Sequence, residues 1–282
     1  MTEQPILVLG GTGKSGSRVA ARLRARGAAV RVASRSGEWR FDWNDRATWD
    51  HVLDGVAAVY VVPLDGAVLT RPFVERAADL GAGRLVLLSG RGVDVPDYMV
   101  GDAAADAGAT HVDGESAVRD SGLPWTIVRP GWFAQNFSEG FFRDAVLAGE
   151  LRLPAGDGAA SFVDAEDIAD VVVAALTEDG HAGRTYELSG PRALTMAEAA
   201  AEISAASGRT VRYVPLGPEE FVAELVEQGW PVGEAKEYAD VVSPIRRGLD
   251  AYLSEGVRQA LGRDARDFSA YARSAAGTGA WD

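Results

Sequence analysis

The feature that most constrains the fold is a glycine-rich run, GGTGKSG at positions 10–16, directly after the apolar run ILVL at 6–9. The apolar run predicts a short buried strand, and the amphipathic pattern after the glycines predicts a helix over 15–26. A strand, a tight glycine turn and a helix form the first unit of a dinucleotide-binding βαβ fold. The run therefore predicts an α/β protein with a phosphate site at its first turn.

The letters GKS also end the P-loop motif of proteins that bind nucleoside triphosphates. That motif needs a glycine at position 8, but Val8 stands there, inside the predicted strand. The dinucleotide pattern is satisfied by Gly10, Gly13 and Gly16, and also in the register that starts at Gly11. We therefore expect a dinucleotide pyrophosphate here, the alternative being a purely structural turn. The residues expected to bind it are the glycines Gly10, Gly13 and Gly16.

The end of the second predicted strand indicates which dinucleotide is bound. An NAD site usually has an acidic residue there, about 20 residues after the glycines, to bind the ribose 2′-hydroxyl. This chain has Ser34, Arg35 and Ser36 instead. A guanidinium flanked by hydroxyls suits a 2′-phosphate, and Lys14 would add charge to the same pocket. We expect NADP(H); otherwise Arg35 is an ordinary exposed arginine at a strand end.

Short apolar runs alternate with amphipathic runs through the first half of the chain, which predicts a doubly wound parallel sheet of Rossmann type. The predicted strands are 5–9, 29–33, 40–42, 57–62, 84–88 and 125–128, and the predicted helices are 15–26, 46–53, 71–80 and 110–121. Residues 1–150 are expected to form the NAD(P)-binding domain, with Asp45 capping the second helix. Residues 151–282 are expected to form a smaller, mostly helical substrate-binding part, of which 165–190 packs back on the sheet. Asp167 is a predicted helix cap, Gly208 a helix end, and 275–280 are expected to fray.

Composition excludes several classes of function. Without cysteine the chain has no disulfide and no thiolate metal site, and we expect no metal and a cytoplasmic location. The net charge is −13 with no basic block, which argues against nucleic acid as a partner. No apolar stretch reaches the roughly 18 residues of a membrane span, and the first strand starts too early for a signal peptide. The composition is compatible with a homo-oligomer.

Several segments together resemble a known family. They are GGTGKSGSRV, FDWNDRATWDHVLDGVAAVYVVP, VLLSG, HVDGESAVRDSGLPWTIVRPGWFAQNF and SFVDAEDIADVVVAAL. The chain resembles the NmrA-like atypical short-chain dehydrogenase/reductases, and within them the ergot-alkaloid-type iminium reductases and their bacterial relatives. The likeness covers most of residues 5–190 and is loose after about residue 215; it also hints at secondary metabolism.

The resemblance implies roles at the matching positions. Thr12 and Ser15 would support the pyrophosphate held by the three glycines. Asp42 would lie near the adenine, and Val62 and Pro63 would line the cofactor after the fourth strand. Ser89 and Gly90 would lie beside the nicotinamide. The segment 130–137 would form the wall between nicotinamide and substrate.

One departure from the wider superfamily narrows the chemistry. Most short-chain dehydrogenases carry Tyr-x-x-x-Lys, in which the tyrosine protonates a carbonyl. Extended members of the superfamily commonly have a glutamate four residues after that lysine. If Glu115 is this glutamate, the lysine position holds His111 and the tyrosine position holds Ala107. The chain has two lysines, Lys14 and Lys236, and neither has a tyrosine four residues before it. The dyad therefore does not exist in any register.

The absent dyad disfavours ketone–alcohol interconversion, in which an alkoxide needs a proton delivered in place. An iminium loses charge when hydride arrives, and a quinone or activated alkene spreads the arriving charge over a conjugated system. Ser89 and His111 are the candidate catalytic residues. His111 would contact the nicotinamide ribose or donate a proton; alternatively, it pairs with Glu115 on the helix surface.

The segment after the sixth strand provides the candidate substrate site, for a small organic molecule, aromatic or polycyclic. The candidate substrate-binding residues are Tyr98, Trp132, Phe133, Asn136 and Phe137, with Met99 beside Tyr98 and with Trp230 and Tyr238 closing over the substrate. Ordinary packing and a mobile loop at 98–99 are the alternatives.

The leading hypothesis is an NADPH-dependent reductase of an imine or iminium, a quinone or an activated alkene. The alternative is a redox-sensing binding protein without turnover, and a third option is an isomerase or cyclase that uses the nicotinamide without net redox change.

Overall fold

The computed structural model describes residues 4–98 and 100–282, and residues 102–108 by their backbone alone. The strands are, in chain order, β1 (Ile6–Leu9), β2 (Val30–Ser34), β3 (Trp39–Arg40), β4 (Ala58–Val61), β5 (Leu85–Leu88), β6 (Trp125–Pro130), β7 (Glu150–Leu153), β8 (Ala159–Ala160), β9 (Arg184–Leu188), β10 (Leu194–Thr195) and β11 (Arg212–Pro215). The helices are α1 (Lys14–Ala25), α2 (Trp49–Leu53), α3 (Thr70–Asp79), α4 (Asp102–Asp120), α5 (Asn136–Glu139), α6 (Arg143–Ala148), α7 (Ala165–Thr177), α8 (Met196–Ser207), α9 (Pro218–Glu227), α10 (Val232–Arg246), α11 (Gly256–Leu261) and α12 (Phe268–Gly277), and a 3-10 turn spans Arg46–Thr48.

Seven strands form one parallel sheet in the order β3-β2-β1-β4-β5-β6-β9. The order reverses between β1 and β4, and ligands of open α/β sheets bind at the carboxyl ends of the strands beside such a reversal. The Rossmann-type α/β fold expected from the sequence is therefore confirmed, with the candidate site at this edge.

Helices cover both faces of the sheet, which explains why its strands are continuously apolar. Alternate residues of β1 point to opposite faces. Ile6 and Val8 belong to a buried cluster shared with α1 and α7, whereas Leu7 and Leu9 belong to one shared with α2, α3 and α4. The apolar run that predicted β1 thus supplies both cores.

A third buried cluster lies in the second half of the chain. It joins α5 and α6 to α8, α9, α10 and α12 around the aromatic rings of Phe137, Phe142, Phe162 and Phe268. Two small sheets, β7 with β11 and β8 with β10, complete this part. The segment 165–190 contributes α7 and β9 to the seven-stranded sheet and its covering layer.

Two predictions about where helices begin are wrong. The cap of α7 is Asp164, whose extended backbone lets its carboxylate accept from the Glu166 N–H at 2.9 Å; Asp167 lies within the helix, buried, and pairs with Arg266. Helix α4 begins at Asp102, not at 110.

The end of the chain does not fray at 275–280. Trp281 is 1% exposed and its indole N–H donates to the Phe137 carbonyl oxygen at 2.8 Å. One buried tryptophan therefore anchors an Ala/Gly-rich tail that composition alone makes weak. Gly208 ends α8 in the left-handed conformation, as predicted.

Among the described residues, no helix combines the length and the apolar character that crossing a bilayer requires.

Candidate functional site

The turn between β1 and α1 is closed by backbone contacts that exclude side chains. Gly10 has a φ of +60°, in the region that favours glycine, and its carbonyl oxygen accepts from the Gly13 N–H at 2.9 Å. A Cβ built on Gly16 would lie 2.3 Å from the same oxygen. The turn therefore needs glycine at both positions. The first N–H groups of α1 lack helical acceptors, so this end of the helix favours an anion.

A cleft of about 510 Å³ opens at the carboxyl ends of β1, β2 and β4. The predicted cofactor residues that line it are Gly10, Thr12, Gly13, Lys14, Ser15, Ser34, Arg35, Asp42, Val62 and Pro63. Trp43, Asn44, Leu64 and Phe133 line it as well. Phe133 belongs to the segment 130–137 that was expected beside the nicotinamide. For Trp43, Asn44 and Leu64, nothing in a single chain marks them as neighbours of the glycine turn.

Arg35 lies exposed at the end of β2, on the wall of this cleft. In the part of the chain that the structure describes, it forms no ion pair within 4.0 Å. Asp42 lies on the same wall, where its carboxylate accepts from the Asn44 N–H at 2.9 Å. Asp45 caps the following 3-10 turn by accepting from the Ala47 N–H, so it serves structure, as expected.

The end of β5 is held from behind by a buried acidic group. The Ser89 hydroxyl donates to Glu115 at 2.7 Å, and Arg129 donates to both Glu115 oxygens at 2.7 and 2.8 Å. Burial acts to raise the pKa of Glu115, but the hydrogen bonds from Arg129 and Ser89 outweigh it and the pKa is lowered. Ser89 and Gly90 do not line either cavity of the site among the described residues.

His111 packs against the turn that follows β5. Its Nε2 lies 2.9 Å from a Cβ built on Gly90, and its Nδ1 is buried with no partner in the described chain. Burial lowers the pKa of His111, which keeps the ring neutral near pH 7. The surface pair with Glu115 does not form, because Ser89, Arg119 and Arg129 occupy that carboxylate.

A second cavity of about 210 Å³ adjoins the cleft at Phe133, which lines both. Tyr98, Trp132 and Asn136, three of the predicted substrate residues, line it together with Arg91 and Phe141. The candidate substrate residues therefore converge next to the cofactor cleft. Met99 lies outside the described residues.

Asp250, which the sequence did not single out, organises this second cavity from behind. It is fully buried, and it accepts from the Tyr98 hydroxyl at 2.6 Å and from the Trp132 indole N–H at 3.0 Å. Arg91 donates to the Asp250 carbonyl oxygen at 3.2 Å and to the Tyr252 carbonyl oxygen at 2.8 Å. A residue near the end of the chain, Asp250, thus fixes two aromatic walls that come from its middle.

Phe137 does not reach either cavity. It is fully buried in the third cluster, with its ring 4.9 Å from that of Phe142 between centroids, so it packs rather than contacts a ligand. Trp230 and Tyr238 lie behind Phe141: the Tyr238 hydroxyl donates to the Phe141 carbonyl oxygen at 3.1 Å. Their position supports the mouth of the second cavity without lining it.

Lys14 points toward the second cavity. Its ammonium donates to the Asn136 side-chain oxygen at 2.7 Å and lies 5.7 Å from the centre of the Phe141 ring. Both of these partners line the second cavity, whereas Lys14 itself lines the cleft. We expected the charge of Lys14 beside Arg35, at a 2′-phosphate. The contacts of its ammonium place that group at the substrate end instead.

The residues present fit a dinucleotide cofactor. A Cβ would fill the glycine turn, and the N-terminus of α1 offers N–H groups to a pyrophosphate. The guanidinium of Arg35 lies where the adenosine ribose of the dinucleotide would lie. The fold and the site together define the class: a nicotinamide-dinucleotide-binding protein of Rossmann type.

Comparison with known proteins agrees. A family model described as NAD(P)H-binding matches residues 10–179. The chain is 37% identical over 278 residues to the (4-alkanoyl-5-oxo-2,5-dihydrofuran-3-yl)methyl phosphate reductase of Streptomyces griseus subsp. griseus, covering 93% of this chain and 95% of the relative. It is 31% identical over 283 residues to the agroclavine dehydrogenase of Claviceps fusiformis, covering 94% of each. The triphenylmethane reductase of Citrobacter sp., solved with NADP(H), shares the fold with a TM-score of 0.75 at 22% identity over 96% of this chain and 99% of that one.

The chain therefore belongs to this NAD(P)H-binding family, and it is an NAD(P)H-dependent oxidoreductase. The resemblance to the ergot-alkaloid enzymes is confirmed by the agroclavine dehydrogenase match.

Proposed function

We propose that the protein is an NADPH-dependent reductase that delivers hydride to a small conjugated electrophile: an imine or iminium, a quinone or an activated alkene. The observation that carries this proposal is the junction at Phe133, which joins a dinucleotide cleft to a separate cavity walled by aromatic side chains. A binding protein without turnover has no need of such a second cavity beside the cofactor.

The preference for NADPH rests on Arg35. Its guanidinium is exposed at the end of β2 and unpaired among the described residues, with the hydroxyl-bearing Ser34 beside it. Charge-assisted hydrogen bonds from arginine to phosphate are among the strongest in proteins, whereas a neutral diol offers the guanidinium no opposite charge. The 2′-phosphate of NADPH is therefore the expected partner.

The bound cofactor would supply a hydride; the chain supplies position and electrostatics. Thr12 and Ser15, next to the glycine turn, would support the pyrophosphate, and Trp132 and Phe133 would hold a flat substrate by stacking. His111, neutral through burial, would contact the ribose of the nicotinamide half. No tyrosine–lysine pair is encoded that could protonate an alkoxide, so the acceptor must delocalise or lose charge when hydride arrives.

The relatives support this class of acceptor. The named substrate of the Streptomyces relative is a (4-alkanoyl-5-oxo-2,5-dihydrofuran-3-yl)methyl phosphate, whose ring double bond is conjugated to carbonyl groups. The alignment with this relative covers 93% of this chain and 95% of the relative at 37% identity. An activated alkene is therefore one concrete member of the proposed substrate class.

The test is anaerobic oxidation of NADPH, followed by absorbance, with cyclic imines, benzoquinones, acyl butenolides and simple secondary alcohols as separate panels. We expect turnover with at least one conjugated electrophile and none with the alcohols. Tight NADPH binding without turnover on any panel would favour the sensing alternative, and rapid reversible oxidation of the alcohols would contradict the proposed chemistry.

A further inference from the structure

The junction between the two cavities contains one ammonium group. Lys14 is the first residue of α1, and its side chain crosses from the cleft to Asn136, which is 7% exposed and lines the second cavity. Gly140 makes room for this crossing, because a Cβ built there would lie 2.3 Å from Lys14 Nζ. The ammonium therefore lies where the substrate cavity meets the cofactor cleft.

The surroundings of Lys14 leave its charge available. The carboxylate with the largest effect on it, Glu139, is bound by both terminal nitrogens of Arg18, at 2.6 and 3.1 Å. Within the described chain, Lys14 forms no ion pair within 4.0 Å. Burial lowers its pKa, since the desolvation outweighs the attraction of Glu139. An ammonium with one amide acceptor retains two N–H donors for a ligand.

We propose that Lys14, oriented by Asn136, is a catalytic residue that donates a hydrogen bond and then a proton to the substrate atom that gains negative charge. The inference rests on the proposed reductase function, because that function supplies the hydride. Lys14 thereby protonates a charge that the conjugated acceptor already spreads over several atoms, whereas the missing tyrosine protonates a localised alkoxide elsewhere in the superfamily.

Hydride from NADPH carries two electrons and forms a C–H bond on the conjugated acceptor, and the π-electron pair moves to its carbonyl oxygen. An N–H bond of Lys14 breaks as an O–H bond forms on that oxygen, which leaves a neutral amine. Water then returns a proton to the amine, and the depressed pKa of Lys14 makes the outward transfer easier.

The same charge selects among the proposed substrates. An ammonium without a carboxylate partner repels an iminium cation and attracts a developing enolate or quinol anion. Arg91, which lines the same cavity, adds a second positive charge to it. The geometry points to quinones and activated alkenes rather than iminium ions as the acceptors.

The first experiment measures the charge without any chemistry. 4-Nitrophenol is added to the NADP⁺-loaded protein, and the absorbance of its phenolate form is followed against pH. Because an opposite charge within about 4–6 Å lowers the pKa of an acid by about 1–3 units, the bound phenol should ionise at lower pH than the free phenol. The Lys14→Met variant should lose this shift, and Lys14→Arg should retain it. Persistence of the shift in Lys14→Met would overturn the proposal.

The second experiment separates proton donation from charge. With a quinone that the native protein reduces, Lys14→Arg should keep KM near the native value but lower kcat about 10²-fold or more, the usual contribution of a positioned general acid. Equal kcat in Lys14→Arg and the native protein would overturn the proton-donor role. Lys236→Met, at the exposed second lysine, is the matched control and should behave like the native protein.

A third measurement excludes a cofactor role. NADPH affinity should change less than about threefold in Lys14→Met, a difference below about 1 kcal/mol. A loss comparable to that of an Arg35 variant would instead place Lys14 on the dinucleotide and overturn the proposal. If no electrophile is turned over but the phenolate shift follows Lys14, the reductase function fails while the charge assignment stands.

Discussion

The two ends of the candidate site are built in different ways. The cofactor end comes mostly from residues 10–64, in consecutive βα units, and depends largely on backbone geometry at the glycine turn. The substrate end joins residues far apart in the chain: Lys14 to Asn136, and Tyr98 and Trp132 to Asp250. The first end is a local property of one supersecondary unit, whereas the second exists only when the whole chain is folded.

This difference has a functional consequence. A cofactor site that is lined by backbone tolerates few substitutions, but its geometry depends little on the rest of the chain. The side-chain network of the substrate end can change residue by residue, which suits a fold that serves many substrates. We therefore expect damage to the two ends to be separable, and the following predictions test that separation.

The largest effect is expected at Glu115, the buried carboxylate behind the end of β5. Glu115→Gln removes the charge that holds Arg129 and Ser89, and breaking a buried ion pair typically costs about 3–5 kcal/mol. Chemical denaturation should show this loss. Glu187→Gln, at a longer 3.4 Å contact with the same arginine, is the control and should cost less than about 1 kcal/mol. Equal stability of the two variants would contradict the buried pair.

At the cofactor end, Gly16→Ala places a Cβ against the Gly10 carbonyl oxygen. Forcing an atom into a packed site costs about 1–3 kcal/mol, so the melting temperature should fall by several degrees and NADPH affinity should weaken. Gly233→Ala, where nothing lies within 4 Å of a built Cβ, should leave both unchanged. An unaltered NADPH affinity in Gly16→Ala would mean that the turn does not hold the pyrophosphate.

Arg35→Ser tests the cofactor end without disturbing its backbone. Loss of hydrogen bonds to a charged phosphate should weaken NADPH binding by about 1.5–3 kcal/mol while NADH binding stays the same. Calorimetric titration with both nucleotides measures this, with Arg40→Ser, an exposed arginine of β3, as the control. Equal losses for NADPH and NADH would remove the basis for NADPH preference.

Asp250→Ala tests the substrate end. It leaves the Tyr98 hydroxyl and the Trp132 indole N–H without their acceptor, which costs about 1–3 kcal/mol for each buried unsatisfied group. KM for the electrophile should rise while the NADPH dissociation constant stays constant. A parallel change in both constants would show that the two ends are coupled rather than separable.

The smallest effects should appear in the pH dependence of stability, with opposite signs at the two carboxylates. The pKa of Glu115 is lowered from its ordinary 4.5, so its stabilising effect is present above that value and is lost as pH falls. Burial raises the pKa of Asp250 above its ordinary 3.8, so its contribution is present in acid and is lost as pH rises through the folded pKa. The stability gap between native protein and variant should therefore shrink in acid for Glu115→Gln and shrink with rising pH for Asp250→Ala. Gaps that change in the same direction would contradict these assignments.

Much of the cofactor end could be predicted because its signals are local. Gly10, Gly13 and Arg35 lie at fixed spacings from strands that are recognisable as apolar runs, and all three line the cleft. Trp43 lines it too but carries no local cofactor signal, since its contact depends on how separate units pack. Asp167 was mistaken for a helix cap for the same reason: its partner Arg266 is close only in the folded chain.

By itself, the sequence determined the class of this protein: a parallel α/β sheet, a dinucleotide turn, an arginine at the end of the second strand and no tyrosine–lysine dyad. These properties depend on residue type and short spacing, which one chain displays directly. The tertiary structure alone decided that Lys14 turns toward Asn136, that Asp250 stands behind the aromatic walls and that Trp281 secures the tail. Those contacts span more than a hundred residues, and only the packing of distant elements can bring such groups within hydrogen-bonding distance.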